Sequence, residues 1–184
     1  MKTQDILRAI EFATDKHNGQ KRRGTGIDYI VHPIIVSELL RKYKSSKHLN
    51  TLIIASLLHD TLEDTDTNFI EIATKFSPMV AGLVLELTSD TDEINRLKKE
   101  IGKDKAKNAY MKRKLLGMSS YALVIKLVDR LSNVMDKPTK KYLIDTTELL
   151  KWLGENRKLS KTQIQIVKDI NITITEYDNM KEEV

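Results

Sequence analysis

The chain has 184 residues, with 31 Lys and Arg against 26 Asp and Glu for a net charge of +5, and no cysteine. This length fits one domain that buries roughly two thirds of its unfolded surface, while the lack of cysteine excludes disulfides, zinc ribbons and a thiolate nucleophile and suits a reducing compartment. The apolar run Leu52 to Leu58 is far short of the roughly 20 residues of a membrane span, and the start, Met1 to Asp5, does not resemble a signal peptide, so a soluble cytoplasmic protein is expected.

Helical periodicity runs nearly throughout. Ile6, Leu7, Ile10 and Ala13 form a first amphipathic stripe, and His17 lies one turn beyond, where a structural hydrogen-bonding role is expected. Gln20 to Asp28 reads as a loose connection. Ile34, Ile35, Leu39 and Leu40 form a second stripe behind Pro33, and His48, in a polar turn, is expected to be exposed. Leu52 to Leu62 gives a third stripe, followed by shorter ones at Phe69 to Phe76 and Met79 to Leu87. Ser89 to Lys107 reads as a second loose region, before helices at Ala122 to Met135 and Thr146 to Leu153. Ser160 to Gln163 forms a capping box ahead of Ile166, Ile170, Ile174 and Tyr177, although the alternation of Ile170, Ile172 and Ile174 fits a strand equally well. Pro33, Pro78 and Pro138 fall where one pattern gives way to the next. The expected fold is all-α and compact, with about eight to ten helices.

The positive charge is local. From Arg96 to Lys114 nine cations face Glu100 and Asp104, a balance of +7 that leaves the rest of the chain near −2. Such a run either faces water or forms a rim that draws in a polyanion.

The stretch LIIASLLHDTLEDT, residues 52 to 65, concentrates chemistry. On a continuous helix His59 stands beside Glu63, and Asp60 neighbours Glu63 and Asp64. Like charges so close repel, and burying them costs several kcal/mol unless a cation sits among them. The acidic residues alone fit a frayed helix end in solvent better. His59 and Asp60 directly after an apolar run favour a divalent ion, which needs further ligands from elsewhere. His32, held before Pro33, is a candidate; in YALVIKLVDRLSNV, Asp129 lies on the polar stripe of what is, taken alone, an ordinary amphipathic helix.

The segments KHNGQKRRGTGIDYIVHP, ASLLHDTLEDT and IKLVDRLSNV, in that order, resemble the three signatures of HD-domain phosphohydrolases of the Rel/SpoT type, the guanosine tetraphosphate hydrolases. The resemblance spans about residues 5 to 137 and is most similar to the small stand-alone hydrolases, with the C-terminal helices of 139 to 180 packing on a single domain. It implies an all-helical fold and one metal, usually manganese, held by His32, His59, Asp60 and Asp129. It also implies Glu63 and Asp64 as catalytic carboxylates, and Arg22, Arg23, Tyr29, Arg113, Lys114, Lys126 and Asn133 as substrate-binding residues. Two departures stand out: one extra residue between Arg23 and Tyr29, with Asp28 where a proline is common, and Met135 where arginine is frequent.

The implied reaction is hydrolysis of the 3′-diphosphate of this guanine nucleotide alarmone. The first alternative is an HD nucleotidase or phosphatase acting on another nucleotide. A second, of a different class, is a basic nucleic-acid-binding or interaction module, disfavoured because the basic stretch Arg96 to Lys114 holds one aromatic residue, Tyr110, and the chain has only three Phe and one Trp beside its six Tyr. The sequence does not set the oligomeric state.

Overall fold

The computed structural model describes residues 3–182. Among them are eleven helices in chain order: α1 (Thr3–Lys16), α2 (Val31–Tyr43), α3 (Leu49–Leu57), α4 (Thr61–Asp64), α5 (Phe69–Lys75), α6 (Pro78–Leu87), α7 (Thr91–Ile101), α8 (Lys103–Gly117), α9 (Ser120–Met135), α10 (Lys140–Asn156) and α11 (Lys161–Glu182). The all-α expectation holds; the tally passes the expected range because α4 is a single turn.

Two helices form the interior. In α3 every residue from Thr51 to Leu57 is buried, which is why its sequence shows a run of apolar residues and not a stripe. In α9 one broad arc is buried, from Ala122 to Val134. Helices α1, α2 and α6 pack on α3, and α2, α6 and α11 pack on α9. One apolar core extends from Ile6 in α1 to Ile174 in α11. No helix among the described residues is long and apolar enough to cross a membrane.

Three expectations are corrected. Ser89 to Lys107 is not loose: the Asp90 carboxylate caps α7 by accepting from Glu93 N, and Gly102, at φ 86°, turns the chain from α7 into α8. Gln20 to Asp28 is a tight turn, closed by a bridge between Lys21 and Asp28 and by Arg22 N donating to Ile27 O at 2.9 Å. His48 is half-buried against the Tyr121 ring, 5.8 Å between centroids. The ambiguous C-terminal segment is helical, its capping box formed as expected by Ser160 N to Gln163 Oε1 at 2.8 Å and Gln163 N to Ser160 Oγ at 3.3 Å.

Candidate functional site

The site begins where the third stripe breaks. Leu52 to Leu62 is not one helix: α3 stops at Leu57 and α4 starts at Thr61. Polar side chains take up backbone carbonyls here, His59 Nδ1 donating to Ser56 O and Thr61 Oγ1 to Leu58 O, each at 2.7 Å. The expected single helical face shared by His59, Asp60, Glu63 and Asp64 is therefore replaced by a turn that holds His59 and Asp60 between two helices.

Into this turn the fold brings α2 and α9. His32, His59 and Asp129 are buried and offer ligand atoms that all lie within 4.8 Å of one another. His32 Nε2 is 3.1 Å and His59 Nε2 3.7 Å from Asp129 Oδ1. The fourth expected ligand, Asp60, presents Oδ2 at 2.9 Å from His59 Nε2 and 3.9 Å from His32 Nε2. The wet-side placement considered for Asp129 fails, for α9 is covered on that side by α2 and the residue is 6% exposed.

The donor set fits a divalent cation. With Nδ1 of His59 donating to a carbonyl, Nε2 carries the lone pair; it is buried, and although Asp60 is near, no aligned hydrogen bond reaches it. His32 has Ser132 Oγ at 3.1 Å from Nδ1, so in its Nδ1–H tautomer its Nε2 lone pair also faces Asp129. Two imidazole lone pairs and two carboxylates converging in a buried space call for positive charge. Without an ion, a proton fills that role: burial opposes the charged form of His59, but Asp60 and Asp129 outweigh it and push its pKa up to about 10. Burial likewise works to raise Asp129, and Lys126, with His32 and His59, overcomes it to hold the carboxyl well below the usual range.

Around this centre the expected substrate residues divide. Lys126 Nζ donates to Asp129 Oδ2 at 3.0 Å. Asn133 Nδ2 donates to Asp129 Oδ1 at 2.7 Å and its Oδ1 accepts from Arg22 Nη2 at 3.0 Å. Arg22 also pairs with Asp136 at 2.8 Å and lies over the Tyr29 ring. Tyr29 Oη donates to Asp60 Oδ2 at 2.6 Å, and burial, followed by Asp60, raises its pKa. Beside these, a cleft of about 220 Å³ is walled by Ile27, Val31, Ile35 and Met135, with Arg22 and His32 among its polar lining.

Arg113 instead pairs with Glu93 on α7, and Lys114 donates to the carbonyls of Leu87 and Thr88; burial, then Lys126, lowers its pKa to about 8. Arg23 is exposed and makes no pair among the described residues. Glu63 accepts from Ser89 N at 2.8 Å. The Asp64 carboxyl is pushed up by burial, then by Asp60 and Glu63. Sequence reasoning missed Ser132 and Gln20, which lie inside the quoted segments IKLVDRLSNV and KHNGQKRRGTGIDYIVHP but received no role there.

The chain matches the model of a family described as the HD domain over residues 9–142. It belongs to the HD-domain family. Within that family, it is 30% identical over 182 residues to the human guanosine-3′,5′-bis(diphosphate) 3′-pyrophosphohydrolase MESH1, covering 92% of this chain and 96% of MESH1. It is 41% identical over 136 residues to the guanosine-3′,5′-bis(diphosphate) 3′-pyrophosphohydrolase of Aquifex aeolicus; that match covers 71% of this chain and 17% of the relative. A solved structure, described as a metazoan ortholog of SpoT that hydrolyzes ppGpp, shares the fold with a TM-score of 0.71 at 24% identity, covering 93% of this chain and 96% of that one. His32, His59, Asp60 and Asp129 all fall inside the part matched by the HD-domain model.

Proposed function

We propose that this HD-domain chain is a metal-dependent hydrolase that removes the 3′-diphosphate of guanosine tetra- or pentaphosphate, leaving GDP or GTP and pyrophosphate. The observation that carries this is the convergence of His32, His59 and Asp129 within 4.8 Å, in a chain of MESH1 length and family. His32, His59, Asp60 and Asp129 would hold one divalent ion, Mn²⁺ in our reading, supplying positive charge against the phosphate and acidity for a water.

The chain's own residues supply the rest. Glu63 spends an oxygen on Ser89 N, so Asp64 is the freer carboxylate, and its raised pKa suits a general base. It takes the proton of a water whose oxygen attacks phosphorus, and as the bond from phosphorus to the 3′-oxygen breaks that proton passes to the departing oxygen, leaving a 3′-hydroxyl and pyrophosphate. Lys126, fixed on Asp129, offsets phosphate charge. Arg22, pinned by Asp136 and Asn133, offers a set guanidinium plane beside an apolar cleft, a match to a purine base. Arg23, Arg113 and Lys114 serve phosphates at the rim, the last two after leaving their present partners. The chain acts as one hydrolase domain in the cytoplasm, a reading supported by its continuous core and lack of cysteine.

Replacing Arg22 and Arg23 together by Ala tests the substrate. Turnover of guanosine tetraphosphate is expected to fall by about a hundredfold or more, while Mn²⁺-dependent cleavage of a simple phosphate ester stays within about threefold. Equal loss of both activities, or survival of both, rejects the guanine nucleotide and favours a general HD phosphatase.

A further inference from the structure

We infer that His17 is a positioning residue for the one-turn helix α4, acting through Gln20, so that Asp60 and Asp64 are presented to the metal centre; this rests on the metal reading above. Helix α4 has four residues, too few to sustain itself, since a first turn fixes several dihedrals for a single hydrogen bond. Its placement must come from tethers outside it. Tyr29 Oη reaches the Asp60 carboxylate, Ser89 N reaches the Glu63 carboxylate, and Gln20 Nε2 donates to Asp64 O at 2.8 Å. Of these three, only the Gln20 tether grips the backbone of the turn.

Gln20 needs its own support, because its half-buried amide can rotate or flip. His17 Nδ1 lies 2.8 Å from Gln20 Oε1. With Gln20 Nε2 donating to Asp64 O, Oε1 is the acceptor, so His17 carries its proton on Nδ1. The imidazole is 3% exposed, and its Nε2 is buried with no hydrogen-bond partner among the described residues. An all-carbon ring at this spot would avoid that cost. The Nδ1–H therefore accounts for histidine here: it fixes the amide that holds α4. The same ring lies 4.8 Å from the Tyr29 ring, so His17 touches both side chains that reach the two ends of the turn.

Calorimetric titration of metal-free protein with Mn²⁺ tests this, together with thermal midpoints, on the wild type, H17F, H17N, Q20L and H17F/Q20L. H17F keeps a ring against Tyr29 and deletes the donor; H17N deletes the ring and keeps an N–H near the Nδ1 position. Mn²⁺ affinity is expected to fall about tenfold or more in H17F, as for other groups that orient metal ligands. H17N recovers most of that loss even though its midpoint falls, and H17F/Q20L binds no more weakly than Q20L. If His17 only fills space, the order reverses: H17F binds like wild type and H17N is impaired. That result, or losses in H17F and Q20L that add, overturns the inference. A wild type that binds no Mn²⁺ overturns the metal reading itself, whereas absence of guanosine tetraphosphate hydrolysis leaves the calorimetric comparison intact, so the two failures are told apart.

Discussion

Asp129 shows how one buried carboxylate organises a site. It is approached by His32, His59, Lys126 and Asn133 at once, so D129N removes one of the proposed ligand atoms and leaves the Lys126 charge without its partner. Mn²⁺ affinity is expected to drop by more than the roughly 10–100-fold that follows loss of an orienting group, measured by calorimetry on folded protein. A second outcome concerns protons. Because Asp60 and Asp129 lift His59 to about 10 in the metal-free chain, the imidazolium is filled at pH 7.5 and must be emptied for its Nε2 to bind an ion. Mn²⁺ binding at pH 7.5 should release about one proton, read from calorimetry in buffers of different ionisation enthalpy, and affinity should rise with pH up to about 10. Proton-neutral binding would contradict this. At this scale the sequence was informative for His59 and Asp60, adjacent after an apolar run. Periodicity alone was silent on Asp129, which only the resemblance of IKLVDRLSNV named, since an amphipathic stripe looks the same whether its polar side meets water or another helix's imidazole.

At the scale of elements, α11 separates helix from strand directly. Ile170 and Ile174 are buried and Ile172 is 45% exposed, the pattern of one helical face; in a strand all three would share a side. I170A should cost about 2–5 kcal/mol, and I172A under about 1 kcal/mol, by urea unfolding; similar costs would argue for the strand. The prolines and the Ser160 cap made the region of four helix starts legible, those of α2, α6, α10 and α11, the last with its reciprocal bonds formed. The break between α3 and α4 was not legible: the apolar pattern continues through it to Leu62, and only the bonds of His59 and Thr61 to carbonyls stop the helix. The α7–α8 pair was misread as loose although Ile94, Leu97 and Ile101 keep helical spacing in α7, because charged residues surround that short stripe and none of α7 is fully buried.

For the whole molecule, the charge asymmetry seen in the sequence falls on α7 and α8, where Lys103, Lys105 and Lys107 are exposed. If this rim steers a polyanionic nucleotide, the triple change K103Q/K105Q/K107Q should raise KM several-fold at low salt with kcat unchanged, and the difference should fade at about 1 M salt, where the Debye length is about 3 Å. An unchanged KM at low salt would mark the run as a solvated face. In the function proposed above, a metal centre built from α2, the α3–α4 turn and α9 cleaves the alarmone. Metal-free protein incubated with guanosine tetraphosphate, with and without Mn²⁺, and resolved by ion-exchange chromatography, tests it most directly. GDP and pyrophosphate forming only with Mn²⁺ is the predicted result; no cleavage with metal, or equal cleavage without it, would contradict the account.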